Sequence, residues 1–230
     1  MSKKVALVQS NYIPWKGYFD LINMADEFIL FDTMQYTRRD WRNRNRIKSP
    51  QGAAWLTIPV EVKGKYFQRI NETAISDPAW NRAHWKTVVH SYSRAEYFHV
   101  YRERFEALYR GSSEKYLSQV NHKFLVAICE ILGINTKISW STDYHLLEGR
   151  TERIVDLCKQ TGATEYISGP AAKSYTDEEL FQREGILLRY IDYSGYPEYR
   201  QLFPPFEHRV SIIDLIFNEG PDATRFMKSF

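Results

Sequence analysis

Residues 5–32 have the sequence VALVQSNYIPWKGYFDLINMADEFILFD, and this stretch decides the fold. Residues 5–8 and 28–31 are short apolar runs bounded by polar residues, which is typical of buried strands. Between them, residues 18–25 place apolar side chains at helical spacing. A connection of this kind crosses over in a right-handed sense and makes the two strands parallel. The stretch therefore predicts the first unit of a parallel α/β sheet.

The rest of the chain continues this alternation and adds one long helical region. We predict further strands over 55–60, 137–140, 165–167 and 186–191, helices over 151–161 and 211–217, a short helix capped by Thr176 with Glu179, and a helical insert at about 77–133 that breaks near Gly111. Strands that alternate with helices imply a mostly parallel, doubly wound sheet of Rossmann-like type. No stretch has the composition of a linker, so we expect a single α/β domain over 1–230.

Composition and charge limit the classes of function. The net charge of +3 is too small to indicate bulk nucleic-acid binding, so a nucleic-acid partner is not expected. The two cysteines provide no disulfide framework. The chain shows no signal peptide and no apolar run of the roughly twenty residues that a membrane helix needs. We expect a cytoplasmic protein without membrane insertion.

Ligands of such sheets bind beyond the carboxyl ends of the strands, and the polar segment 9–18 follows the first strand there. It joins a strand to a helix start, whose free N–H groups suit a phosphate, and Gly17 would let the ligand approach the backbone closely. An ordinary loop is the alternative. The candidate binding residues in this segment are Gln9, Asn11, Tyr12, Gly17 and Tyr18.

A basic segment follows the second strand. Residues 35–48 have the sequence QYTRRDWRNRNRIK, in which six basic residues fall within eleven positions. Arginine binds phosphate or carboxylate bidentately, so we predict an anion site rather than a solvated loop. RNA binding is a second interpretation. Arg42, Arg44 and Lys48 would bind the anion, and Gln35, Tyr36 and Asn43 would orient a sugar or base.

The candidate catalytic groups are Asp32 and His84. Asp32 ends the second strand, where a carboxylate can accept a proton, hold a ribose hydroxyl or cap a turn. His84 is the best placed of six histidines for a general base, although a hydrogen-bonded structural histidine is the alternative. Ser168 and Gly169 follow another strand and would complete a phosphate pocket or form a turn. No metal-ligand spacing is present, so we predict no metal site.

These residues together resemble the WbqC-like protein family along nearly the whole chain. The markers are residues 9–19, Asp32, 35–36, 41–46, 50–52, 55–59, 84–85, 97–98, 166–169, 211–214 and 217–218. Ser10 and Glu96 stand where proline is usual. The resemblance implies an enzyme of bacterial surface-polysaccharide (O-antigen) biosynthesis, a transferase that modifies a nucleotide-linked amino sugar. Its substrate would be this nucleotide sugar or another small anion, and its donor an acyl or aminoacyl compound.

A second resemblance concerns the start of nucleotidyltransferase-like (HUP) domains. These domains place an HxGH motif at the first helix, and here residues 15–18 keep the glycine and replace both histidines. The resemblance implies a nucleotidyltransferase-like topology, with nucleotidyl transfer or ATP-dependent ligation as an alternative activity. A nucleotide with magnesium would then be the cofactor, since magnesium bridges phosphates. The other alternative is a non-catalytic protein, either a glycan-assembly scaffold or an RNA binder.

Overall fold

Strands and helices alternate along the chain in the computed structural model, which describes residues 2–230. The strands are β1 (Lys4–Val8), β2 (Glu27–Leu30), β3 (Arg44–Ser49), β4 (Gly52–Thr57), β5 (Lys137–Trp140), β6 (Glu165–Ser168) and β7 (Leu187–Tyr190). The helices are α1 (Lys16–Asn23), α2 (Trp80–Tyr92), α3 (Phe98–Arg110), α4 (Leu117–Leu132), α5 (Thr151–Thr161), α6 (Glu178–Arg183) and α7 (Ile212–Glu219). None of the helices in this described part is long and apolar enough to cross a membrane.

Five of the strands form one sheet in the order β5-β2-β1-β6-β7. All four neighbouring pairs are parallel. The chain moves outward from β1 through β2 to β5 and then returns to β6 on the other side of β1. This reversal is the Rossmann-like arrangement, and it creates a switch point between β1 and β6. The predicted Rossmann-like α/β fold is confirmed.

Helices cover both faces of the sheet because side chains along each strand alternate between two apolar clusters. Ala6 and Phe28 belong to a large cluster that also contains residues of α1, α2, α3, α4 and α7. Val5 and Ile29 belong to a smaller cluster with residues of α5 and α6. The helices α2, α3 and α4 span residues 80–132, which confirms the predicted helical insert, and α3 ends at Arg110, beside the predicted break.

The basic segment differs from its prediction. The strand predicted over 55–60 lies outside the main sheet, and the basic segment before it contains a strand that the sequence did not predict, because β3 and β4 pair as an antiparallel hairpin. Polar residues of β3 can face inward because backbone groups satisfy them. The Asn45 amide donates to the Ile13 carbonyl at 2.9 Å, for example. The turn uses Gly52 with φ of +104°, a conformation that favours glycine.

The cap of α6 also differs by one residue from the prediction. Asp177, not Thr176, accepts the N–H of Leu180 at 3.1 Å, and the helix begins at Glu178. The Thr176 hydroxyl instead donates to the Ala172 carbonyl at 2.8 Å. A carboxylate at the N-cap satisfies a free helix N–H and also interacts favourably with the helix dipole, so Asp177 is the better cap here.

A buried carboxylate at the start of β2 makes the fold sensitive to acid. Glu27 is 1% exposed and accepts hydrogen bonds from Lys3 at 2.8 Å and Ser139 at 2.8 Å, as well as from Tyr144, and it pairs with Lys137 at 2.9 Å. Burial alone would raise the pKa of Glu27, but these partners hold it at about 2, below its ordinary 4.5. Glu27 therefore stabilises the fold above its ordinary pKa, and this stabilisation is lost as the pH falls towards about 2.

We expect Glu27→Gln to lower the free energy of unfolding at neutral pH by about 3 kcal/mol. The loss should shrink as the pH falls, because the wild-type protein then loses the same interactions. Urea denaturation across the acid range measures both effects. Glu130→Gln removes an exposed partner of Arg104 and should cost less than about 0.5 kcal/mol. A cost for Glu27→Gln that does not change with pH would contradict the low pKa.

Candidate functional site

A crevice of about 590 Å³ opens at the switch point between β1 and β6, where this fold places ligands. Gln9 follows β1 on one side, and Ser168 and Gly169 end β6 on the other. The first turn of α5 contributes Arg150 and Arg153. No aspartate or glutamate is among the lining residues. The crevice is therefore positively charged.

The two arginines of this crevice are held by contacts that leave their charge uncompensated. The Arg150 guanidinium lies 4.6 Å from the centre of the Tyr175 ring. Arg153 donates from Nε to the Leu147 carbonyl at 2.6 Å, and its guanidinium lies 5.9 Å from the centre of the Phe31 ring. Neither forms an ion pair with a carboxylate of residues 2–230. Such guanidinium groups suit phosphate.

A second cavity of about 540 Å³ adjoins the crevice and is largely aromatic. Trp15 packs against Tyr193 at 5.2 Å and Tyr196 at 5.4 Å between ring centres, and these rings form one wall. Tyr193 lines both cavities, so they are neighbours. The other lining residues are Asn11, Pro14, Trp41, Asn45, Gly195, His208 and Arg209. Aromatic faces with a few amides suit a sugar or a base.

Arg42 contacts one lining residue of each cavity but lines neither cavity itself. It donates from Nη2 to the Gln9 side chain at 3.0 Å and from Nη1 to the Asn11 side chain. Gln9 lines the crevice, and Asn11 lines the aromatic cavity. Asp40 approaches the guanidinium at 3.6 Å. The structure thus brings together three residues that the sequence predicts as ligand contacts.

Asp32 holds the backbone of this region in place through buried hydrogen bonds. It is 1% exposed and lines neither cavity. Its carboxylate accepts the Ser10 N–H at 2.7 Å, the Ser10 hydroxyl at 2.7 Å and the Ser118 hydroxyl. Burial raises the pKa of Asp32, while these hydrogen bonds and the charge of Arg42 oppose that rise. Since Ser10 lies between Gln9 and Asn11, Asp32 fixes the backbone that presents both side chains.

Tyr12 lies in the aromatic core, where it contacts His84 of α2, and neither residue lines a cavity. The Thr57 carbonyl lies 3.1 Å from His84 Nε2, and the Tyr12 hydroxyl lies 2.9 Å from Nδ1. A carbonyl can only accept, so a neutral His84 carries its proton on Nε2. Burial lowers the pKa of His84 to about 4, which keeps it neutral at physiological pH. The catalytic role of His84 stays a prediction.

Other predicted residues of the basic segment lie apart from the two cavities. The Arg44 guanidinium lies 4.2 Å from the centre of the Trp55 ring, on the outer side of the hairpin. Lys48 donates to the Pro205 carbonyl at 2.5 Å. Gln35 donates to the Tyr66 carbonyl, Asn43 donates to the Ile58 carbonyl, and Tyr36 is buried in the main apolar cluster.

At the start of α1, the Trp15 indole lies against Gly17, where a ligand was expected to approach the backbone. A Cβ atom on Gly17 would lie 2.4 Å from the Trp15 indole, so glycine is required here for that ring. Tyr18 does line the crevice, and its hydroxyl donates to the Gln9 carbonyl at 3.0 Å. Lys16 donates to the Pro197 carbonyl at 2.8 Å, and burial lowers its pKa to about 8. Lys16 therefore anchors the segment that closes the aromatic cavity.

Several site residues were missed by the sequence reasoning. The arginines of the crevice lie at the N-cap (Arg150) and in the first turn (Arg153) of α5, and two basic residues at a helix start were the available signal. No local pattern marks the aromatic wall, because its rings come from segments about 180 residues apart in the chain. The missed residues are Trp15, Trp41, Asn45, Arg150, Arg153, Tyr193, Tyr196, His208 and Arg209. No group of three or more metal-ligand side chains occurs among residues 2–230.

The fold and the crevice define a Rossmann-like protein with a cationic site at its switch point. The family model described as the WbqC-like protein family matches residues 9–226, and the chain belongs to this family. It is 50% identical over 226 residues to the uncharacterized protein Rv1507c of Mycobacterium tuberculosis (strain ATCC 25618 / H37Rv), and the match covers 98% of each chain. No solved structure matches the chain.

Proposed function

We propose that the protein is an enzyme that transfers an acyl or aminoacyl group to a nucleotide-linked amino sugar in bacterial surface-polysaccharide biosynthesis. One observation supports this proposal above the others. A cationic crevice without carboxylates lies at the switch point and adjoins an aromatic cavity, so an anionic part and a ring-shaped part of one ligand fit side by side. Membership of the WbqC-like family supports the polysaccharide context.

Each part of this substrate has a matching surface. The diphosphate would bind Arg150 and Arg153, together with the free N–H groups at the start of α5. The sugar would stack on the wall formed by Trp15 and Tyr193. Arg42 would then lie beside the junction of the two parts.

The transfer needs a proton acceptor and a group that stabilises an oxyanion. The sugar amine attacks the donor carbonyl carbon, the new C–N bond forms, and the leaving group departs with its electron pair. The charge of Arg42 would stabilise the tetrahedral oxyanion through the Gln9 and Asn11 side chains that it contacts. A base must lie within hydrogen-bond reach of the amine, and His208 lines the aromatic cavity. We propose that His208 accepts the proton of the amine and that Asp32 positions residues 9–11.

Thermal-shift measurements with nucleotide-linked sugars and with ATP test the proposal. A ligand that binds only the folded state adds about 2.7 kcal/mol of stability at a hundredfold excess over its dissociation constant. We expect a shift with nucleotide-linked amino sugars and none with ATP. Arg42→Ala should remove most of this shift, because it removes the charge that contacts one lining residue of each cavity. Arg44→Ala is the matched control, since Arg44 lies on the outer side of the hairpin.

A second candidate function is nucleotidyl transfer or ATP-dependent ligation. The strand order supports it, because the same switch point binds nucleotides in Rossmann-like folds. A shift with ATP alone, with release of pyrophosphate or AMP on turnover, would favour this candidate over the sugar transferase. A protein that no nucleotide or nucleotide sugar stabilises would be a binding protein rather than either enzyme.

A further inference from the structure

A protruding loop between β4 and α2 exposes an aromatic pair to solvent. Residues 63–67 are five consecutive exposed residues at its tip. Tyr66 is 71% exposed and Phe67 is 82% exposed, the largest exposed fractions among the large apolar side chains of the described chain. The two rings contact each other at 5.0 Å between centres, with an angle of 88° between their planes. Such exposure of two adjacent rings is costly in water.

Hydrogen bonds fix this loop in its exposed position. Gln35 donates to the Tyr66 carbonyl at 2.9 Å, and the Tyr36 N–H donates to the Gln68 carbonyl at 2.9 Å. Gln68 in turn donates from its side chain to the Glu61 carbonyl at 2.7 Å. These bonds tie the tip to the preceding segment on both sides of the aromatic pair. These bonds therefore hold the backbone of the loop in the position that exposes both rings.

The surroundings of the pair are basic. Arg38 donates to the Val62 carbonyl at 2.6 Å, so the adjacent basic segment lies against the loop. Lys65 pairs with Glu61 within the loop. The contacting segments 38–40 and 61–72 carry five cationic side chains and three carboxylates: Arg38, Arg39, Lys63, Lys65, Arg69, Asp40, Glu61 and Glu72. The charge of Lys115 also helps to lower the pKa of Glu61. The excess of positive charge indicates an anionic partner.

We propose that this loop docks the protein on an anionic lipid bilayer, with Tyr66 and Phe67 at the boundary between headgroups and acyl chains. Aromatic rings favour the bilayer interface, and flanking lysines and arginines bind acidic headgroups. The docking is peripheral, since one aromatic pair anchors a protein reversibly and does not span the membrane.

Vesicle cosedimentation of the full chain tests this docking. We expect binding to vesicles of phosphatidylglycerol and phosphatidylcholine in equal parts and none to phosphatidylcholine alone. Binding should be lost at about 1 M salt, where charges are screened within about 3 Å. The double variant Tyr66→Ser/Phe67→Ser should weaken binding about tenfold or more, because both apolar anchors are removed. Lys63→Glu/Lys65→Glu should weaken it to a similar extent.

Matched variants separate docking from general effects on the surface. Val100→Ser changes another apolar side chain, 53% exposed on α3, and should bind vesicles as the wild type does. A second measurement uses Phe67→Cys labelled with a polarity-sensitive fluorophore, because both natural cysteines are buried. Its emission should shift to the blue on anionic vesicles, whereas that of labelled Val100→Cys should not.

The proposal is overturned by any of three results. These are no binding to anionic vesicles, equal binding by the serine double variant, or binding to an RNA oligonucleotide at the same loop without binding to vesicles. The test is independent of the proposed function, because none of these variants changes a residue that lines the two cavities. Loss of vesicle binding with intact nucleotide-sugar binding would therefore concern this loop alone.

Discussion

The double variant Arg150→Ala/Arg153→Ala is expected to bind a nucleotide-linked sugar about a thousandfold more weakly than the wild type. Each arginine would make charge-assisted hydrogen bonds to phosphate, and each such bond contributes about 1.5–3 kcal/mol. Within residues 2–230 no carboxylate pairs with either side chain, so removing them leaves no partner charge unpaired. Isothermal titration calorimetry measures the dissociation constant, and thermal unfolding shows that the variant is folded.

Two controls make this result specific to the crevice. Arg102→Ala/Arg110→Ala removes the same net charge from exposed side chains of α3 and should leave affinity unchanged. Arg150→Lys/Arg153→Lys keeps the charge but loses the planar fork, and it should bind with intermediate affinity. If the α3 variant weakened binding as much as the crevice variant, general attraction by the net charge would explain the effect. Unchanged affinity of the alanine variant would place the phosphate elsewhere.

The central sheet could be predicted because its signals are local. The runs 5–8 and 28–31 are apolar without interruption, as strands buried on both faces must be, and the helix between them is amphipathic. The hairpin of β3 and β4 could not be predicted in the same way. Its strand Arg44–Ser49 has only one large apolar residue, and the amides that face inward are satisfied by distant carbonyls. A polar sequence favours a loop when the groups that satisfy its side chains come from distant segments, because no local pattern reveals those hydrogen bonds.

The candidate site was predictable where it follows a strand directly. Gln9, Ser168 and Gly169 lie at the carboxyl ends of β1 and β6, so the fold alone places them in the crevice. The arginine-rich segment places Arg42 against Gln9 and Asn11, which line the two cavities, whereas its other cations lie apart from both. Arg150 and Tyr193 depend on how distant segments pack, which no short pattern records.

Two buried carboxylates, Glu27 in β2 and Asp32 just after it, have opposite responses to acid. The pKa of Glu27 lies at about 2, so protonation removes its stabilising bonds. The pKa of Asp32 is raised by burial, so the folded state favours its protonated form. As the pH falls, the contribution of Glu27 to stability decreases, whereas that of Asp32 increases.

Asp32→Ala is expected to lower the free energy of unfolding by about 4 kcal/mol, because three buried donors from Ser10 and Ser118 lose their acceptor. Asp32→Asn keeps an amide oxygen for the Ser10 N–H, and serine hydroxyls can rotate to accept from the amide nitrogen, so it should cost about 1 kcal/mol. Chemical denaturation measures both values. Equal losses of stability for the two variants would show that the charge of Asp32, and not only its hydrogen bonds, stabilises the fold. The alanine variant should also bind the nucleotide sugar more weakly, since Gln9 and Asn11 lose the anchor between them.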